Sequence, residues 1–321
     1  SAPPPDWSAA QEIVHSQGLR GEATEDSYQS AELFCSTYPL EPPRLLPSHI
    51  VDRIAQVGCL AWGISYPQVP HTSITHPFPG ILPPHHFSGS ITNPPSADLS
   101  SCTTYFNPET KHHSPSKIVR ISTSPNCKDT SLLSTLPLLA GHYSLHGKQG
   151  IYYELLISSS SPSTTIALGT ACRPYPPYRL PGWNRLSAAL HLDDFRKFFE
   201  DPDGGRDYLP SGGEPGAYLP ERIQAGDTFG CGISLSPPTI FFTYNGMRLP
   251  PAFEGQYLPR SAFDVYAAIG VEGACELEVN FGGDVFRWKE GNEWAWRVEG
   301  HVGRMEGGSG GLDGDELPAY S

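Results

Sequence analysis

The chain has 321 residues, room for two average domains or for one β-sandwich with appendages. With 34 Asp and Glu against 21 Lys and Arg, its formal net charge of −13 disfavours binding to a phosphate backbone. Proline (34) and glycine (33) favour turns over long helices, and no apolar run of 18 residues offers a membrane span.

In chain order, residues 1–47 are polar and proline-punctuated and read as linker or disorder, with a short helix around Trp7–Ser16 capped by Asp6. In Ser48–Val57 the apolar residues Ile50, Val51, Ile54 and Val57 fall at helical spacing, with Ser48 as the expected cap and Gly58 as the terminator. Cys59–Ile64 then reads as a strand. Residues 65–117 form a long loop rich in Pro, Ser, Thr and His, so that 48–117 make up an N-terminal extension. The pairs His85-His86 and His112-His113 lack an accompanying Cys or carboxylate set, so neither a metal site nor a cofactor is expected.

Residues 118–298 carry the β signal. Strands are predicted at Ile118–Ile121, Ile151–Ile157, Thr164–Gly169, Thr239–Tyr244, Phe263–Gly270 and Cys275–Phe281. In the last, Cys275, Leu277, Val279 and Phe281 face inward and Glu276, Glu278 and Asn280 outward. Ser131–Leu139 reads as a buried connection. Asn245-Gly246 fits a tight hairpin turn, because both turn positions need positive φ. Asp201–Glu221, with Gly204-Gly205 and Gly212-Gly213, reads as a long flexible insertion. The fold class is all-β, an antiparallel sandwich. Residues 299–321 form a glycine-rich acidic tail.

Seven cysteines without a CxxC pair, and the absence of a usable Asn-x-Ser/Thr sequon, suit buried thiols in a reducing compartment. Catalytic constellations are weak. Gly307-Gly-Ser-Gly-Gly311 lacks the strand and helix that a nucleophile turn requires. Neither His142 nor His146 can be paired with a nucleophile, and Asp193 and Asp194 would point to opposite faces of a strand. No enzyme is expected.

Binding chemistry is better represented. Arg179-Leu180-Pro181-Gly182-Trp183 is a proline-fixed loop with an arginine, an aliphatic and an aromatic side chain, the residue types that anchor interfaces. The competing use of Trp183 is packing into the sandwich. In the tail, Leu317-Pro318-Ala319-Tyr320 fits the L/P-P-x-Y peptide that WW domains read, in which proline presets a polyproline-II segment.

The order of Arg179–Trp183, Gly226-Asp-Thr-Phe-Gly-Cys-Gly232 and Val279-Asn-Phe-Gly-Gly283 resembles the SPRY domain, a concanavalin-like β-sandwich that binds partners. The resemblance covers roughly residues 120–290 and reaches back to about 48. Two groups share the x-Leu-Pro-Gly-Trp run, the Ran-binding-protein-M group and the fungal membrane-anchored SPRY adaptors. Gly169-Thr-Ala-Cys-Arg-Pro-Tyr-Pro-Pro-Tyr178 and Gly58–Trp62 are more similar to the adaptors.

That resemblance implies an adaptor. Loops bearing Arg179, Leu180, Pro181, Trp183, His191 and Asp193 would recognise a membrane cargo protein such as a transporter. The Leu317–Tyr320 motif would recruit a WW-domain HECT ubiquitin ligase, and sorting would follow at endosomes or the vacuole. Such adaptors carry an upstream transmembrane helix that this chain does not contain. Placement on the cytosolic face of those membranes is therefore expected with such an anchor, and in the cytoplasm without one. The family's His-x-Asp-Asp-Gly turn is here His191-Leu-Asp-Asp-Phe195, which implies a different turn. Alternatives are a scaffold subunit of a multi-subunit ubiquitin-ligase complex and a carbohydrate-active sandwich.

Overall fold

A computed structural model describes residues 24–67, 87–97, 116–201, 204–209, 219–254 and 262–302. Among the described residues the α-helices are α1 (Glu25–Thr37) and α2 (Ser48–Val57). The strands follow as β1 (Ile64–Ser65), β2 (Gly89–Thr92), β3 (Val119–Thr123), β4 (Thr130–Ser134), β5 (Gly150–Ser160), β6 (Thr165–Ala171) and β7 (Ala188–His191). They continue as β8 (Arg196–Phe199), β9 (Arg206–Asp207), β10 (Thr228–Leu235), β11 (Pro238–Tyr244), β12 (Met247–Glu254), β13 (Tyr266–Glu272) and β14 (Cys275–Asn280).

Among the described residues these strands form two antiparallel sheets, ordered β1-β4-β13-β6-β7-β8-β9 and β12-β11-β10-β5-β14-β3-β2. The sandwich core lies between them. Alternate residues supply it: Ile151, Tyr153, Leu155 and Ile157 from β5, Ile166 and Leu168 from β6, and Leu277 and Val279 from β14. At the β11–β12 hairpin, Asn245 (φ 48°) and Gly246 (φ 85°) both take the left-handed conformation that the two-residue turn demands.

The outer faces are also covered, which the alternation of a simple sandwich does not announce. On the second sheet, Tyr152 and Phe241 point outward and are buried by Phe286, Trp288 and Trp296 of the segment after β14. Glu154, itself buried, fastens that segment: its Oε1 accepts from Tyr152 OH (2.7 Å) and Trp288 N (3.0 Å), and its Oε2 from Arg287 N (2.9 Å).

Several expectations need correction. Ser131–Leu139 begins within strand β4, which is buried on both faces because the chain packs over its outer side, so no alternation marks it. Cys59–Ile64 is no strand; a 3-10 turn spans Gly58–Ala61, and only Ile64–Ser65 pairs, against β4. α2 has the predicted bounds, but Pro47 occupies the cap position, with its carbonyl accepting from Ile50 N and Val51 N. Within the stretch read as linker, Glu25–Thr37 forms a helix. Thr24 caps it, accepting from Ser27 N (3.3 Å), Glu25 and Asp26 suit its positive N-terminus, and Ala31 and Phe34 are buried. The region 201–221 is described only in part and includes β9. The predicted Trp7–Ser16 helix, the histidine pairs, the Gly307–Gly311 run and the Leu317–Tyr320 motif lie outside the described residues.

Candidate protein-interaction surface

The connection from β6 to β7 does not project from an end of the sandwich. It lies flat on the outer face of the first sheet, because the outward positions of that sheet are small. Ala167 of β6 and Ala189 of β7 leave a shallow apolar trough that Leu180, Trp183 and Phe198 fill, while Tyr175 packs on Leu133, Ala171 and Ala268. A Cβ on Gly270 would come within 2.6 Å of Pro181 Cδ, so the loop needs a glycine under it. Gly182 has φ 96° and would place a Cβ 2.5 Å from Phe198 Cβ. Only glycine meets both conditions there.

Hydrogen bonds close the loop on itself. Tyr175 OH donates to Leu180 O (2.7 Å), Gly182 N donates to Ser187 Oγ (2.8 Å), and Arg179 Nε donates to Asn184 Oδ1 (2.9 Å). The Arg179 guanidinium also lies 4.5 Å from the Trp183 ring centroid. Burial lowers the pKa of Arg179, and it pushes the Tyr175 phenol up to about 12.

The predicted recognition residues therefore fall into two groups. Arg179, Leu180, Pro181, Trp183 and His191 are buried and come together as one packed layer, whereas Asp193 is exposed at the β7–β8 turn. Of the two uses weighed for Trp183, the structure has it packed against the sheet: Trp183 is 2% exposed and Arg179 1%. The small outward residues in Ala-Leu-Gly-Thr-Ala171 and Ala188-Ala-Leu-His191 were the signal that something large must lie on that face.

The β7–β8 turn keeps a left-handed residue where the resembled pattern has glycine. Phe195 has φ 56° and its ring packs against Phe229 at a centroid distance of 6.1 Å, so aromatic packing offsets a cost of about 1–2 kcal/mol for a side chain in that region.

His191 is fully enclosed, stacked on Phe198 at 4.0 Å, with Nε2 3.0 Å from Pro181 O. Desolvation depresses its pKa to about 4, so at neutral pH the ring is uncharged. An unfolded histidine titrates near 6.5. Below that value the unfolded chain takes up a proton that the folded chain refuses, and stability present above pH 6.5 is lost as pH falls towards 4. At about 1.4 kcal/mol per pH unit, the loss reaches about 2 kcal/mol at pH 5. Urea unfolding at pH 7.5 and 5 should therefore show His191→Gln losing about 2 kcal/mol less than the parent chain over that interval. Equal losses would dissociate His191 from the acid response.

A second cover lies over the loop. Phe34 of α1 meets Tyr178 edge-on at 6.4 Å, Tyr178 OH donates to Ser30 O (2.9 Å), and Arg179 Nη1 donates to Ser27 Oγ (3.2 Å). Arg185 Nη1 donates to the carbonyls of Cys35 (3.1 Å) and Tyr38 (2.5 Å) at the C-terminal end of the helix. Sequence reasoning missed this contact because it read the covering segment as linker.

Catalytic geometry is not assembled from the residues considered for it. His142 and His146 are exposed, with His142 Nε2 3.0 Å from Pro43 O, and Asp193 and Asp194 sit side by side in an exposed turn. Among the described residues no group of three or more His, Cys, Asp or Glu could hold a metal ion, and no helix is long and apolar enough to cross a membrane.

Residues 150–284 match the SPRY domain family. The chain is similar to the protein named ssh4 of Sclerotinia sclerotiorum, 32% identical over 154 residues that make up 48% of this chain and 26% of that protein. It is also similar to a SPRY domain-containing protein of Schizosaccharomyces pombe, 33% identical over 48% of this chain and 36% of that protein. The chain thus spans well under half the length of these curated relatives. A solved human SPRY domain covers 50% of this chain and 90% of its own, at 23% identity and a TM-score of 0.35.

Proposed function

Since this chain carries a SPRY domain, a protein-interaction fold, across residues 150–284, we infer that it is a non-enzymatic adaptor joining two proteins. The sandwich would recognise a membrane cargo protein such as a transporter. The tail motif Leu317, Pro318 and Tyr320 would recruit a WW-domain HECT ubiquitin ligase, and ubiquitination would commit the cargo to endosomal or vacuolar sorting. The observation that carries this reading is the pairing, in one chain, of a SPRY domain similar to the fungal ssh4 proteins with a WW-type peptide in an acidic, glycine-flanked tail. Joining two modest sites in one molecule raises the effective concentration of ligase at cargo to about the millimolar range, with no catalytic group needed in the adaptor.

The exposed Asp193-Asp194 turn and the rim around the covered loop are the parts of the proposed cargo surface that a partner can reach without rearrangement.

The test is a titration of WW domains from a HECT ligase with the full chain and with Tyr320→Ala. The parent chain is expected to bind in the micromolar range, and the variant to lose at least tenfold, because the tyrosine fills the second groove of the WW domain. Equal binding by both chains, or none by either, would remove the tail from the mechanism and leave the scaffold-subunit reading in front.

A further inference from the structure

Residues 24–47 form a strap: α1 followed by an extended proline-bearing run, Tyr38-Pro-Leu-Glu-Pro-Pro-Arg-Leu-Leu-Pro47. It crosses the outer layer of the first sheet, held by backbone hydrogen bonds and by the packing of Phe34, Tyr38, Leu40 and Leu46. Glu41 N donates to Arg173 O (2.8 Å), and Leu46 N donates to Tyr143 OH (2.8 Å). Arg185 and Tyr178 grip the helix carbonyls as described. Of the thirteen helix residues only Ala31 and Phe34 are buried, and Leu45 is 55% exposed. Two open cavities of about 340 and 390 Å³ flank the extended run, both walled by Glu41 and Arg173.

The fit is electrostatically incomplete. Arg173, Arg179 and Arg185 hydrogen-bond to carbonyls, a hydroxyl and an amide oxygen, and among the described residues no carboxylate pairs with any of them within 4 Å. The Nε atoms of Arg173 and Arg185 are buried without an acceptor. Glu41 and Asp264 act on Arg173, and Asp129 on Arg179, from beyond ion-pair distance. Arg185 is the uncompensated case: half-buried, without a neighbouring carboxylate or an acceptor for its Nε, it would be most relieved by a carboxylate offered in plane.

We propose that the layer bearing Tyr178, Arg179 and Arg185 is a peptide-binding groove, that strap 24–47 is its occupant in cis, and that its partner in trans is an acidic helical peptide of the same layout. That layout is a helix with an aromatic residue in its last turn, a carboxylate beside it, and an extended proline-containing continuation. Cys35 marks the position for the carboxylate: it is half-exposed, its carbonyl accepts from Arg185, and the thiol has no counter-charge to offer. The proposal rests on the reading of the sandwich as a protein-binding module and adds its partner chemistry and its self-masking.

The experiment uses the full chain and a fluorescent synthetic peptide of residues 24–47. The Phe34→Ala chain, whose own strap is weakened, is expected to bind the peptide at least tenfold more tightly than the parent chain. Adding Arg185→Met to it should remove most of that binding, and a peptide carrying Cys35→Glu should bind severalfold more tightly than the parent peptide. Equal affinity of the parent and Phe34→Ala chains would overturn the proposal, as would indifference to Arg185→Met. Native-state hydrogen exchange of the parent chain gives an independent readout should the variants misfold. Amides of 25–37 should exchange through an opening that leaves β5 and β11 protected, and protection equal to those strands would make the strap a fixed part of the fold. Neither readout involves the tail or a WW domain, so a failure here and a failure of the ligase-docking reading are separable.

Discussion

Replacing Trp183 by alanine is expected to lower the unfolding free energy by about 3–5 kcal/mol, the range for removing a large aromatic from a packed site. The ring fills the trough over Ala167 and Ala189, beside Leu180 and Phe198, and supports the buried guanidinium of Arg179 at 4.5 Å. Collapse into the vacated space is opposed by the backbone, because Gly182 already sits against Phe198 and the loop is closed by its own hydrogen bonds. Trp183→Phe should behave differently. The buried indole Nε1 has no acceptor, so phenylalanine deletes an unsatisfied donor along with part of the ring, and a loss of about 1 kcal/mol is expected. Urea midpoints of the three chains test this. A loss below about 1 kcal/mol for Trp183→Ala would mean that the loop layer contributes little to stability.

The second large effect belongs to the opposite face. Glu154→Leu should cost about 3 kcal/mol or more, since one carboxyl group accepts from Tyr152 OH and from the backbone N–H groups of Arg287 and Trp288. Leucine leaves both backbone donors without a partner in a region closed by Phe241, Trp288 and Trp296. Tyr152 OH retains Thr243 Oγ1 at 2.7 Å, so the damage should concentrate on the segment after β14. Limited proteolysis is expected to cut within 281–302 in the variant before the sandwich is attacked, with a red shift of tryptophan emission. A variant that unfolds at the parent's urea midpoint, with its C-terminal segment still resistant, would refute the fastening role.

How far the sequence was legible follows from which residues had one environment and which had two. β14 was readable because one register faces the core and the other does not, as in the alternation of Cys275, Leu277 and Val279. β5 and β11, buried on both faces, were readable from their aromatic and β-branched content instead. Asn245-Gly246 was readable because the two-residue turn imposes its own backbone requirement. β4 was not, since Leu132 faces the core while Leu133 meets Tyr175, and a strand buried twice has no period. For the candidate site, the composition of the Arg179–Trp183 loop pointed to anchoring residues, but not to what they anchor. That depended on small outward side chains of β6, β7 and β13 and on a helix whose apolar stripe amounts to Ala31 and Phe34. So short a stripe is weak evidence in a polar stretch, although Thr24 followed by Glu25-Asp26 is a helix-start signature.

The pairing of β5 also bears on how the molecule is made. Glu154 stands opposite Gly230 of β10 on one side and Asn280 of β14 on the other. A ribosome adding about 5–20 residues per second must therefore run on for several seconds after β5 emerges before either neighbour is available, and longest for β14. During that interval both edges of an eleven-residue, largely apolar strand lie open. Loop closure over such separations is slow, so nascent chains should depend on chaperones until β14 has been synthesised. Truncations that stop before β14 should aggregate rather than fold.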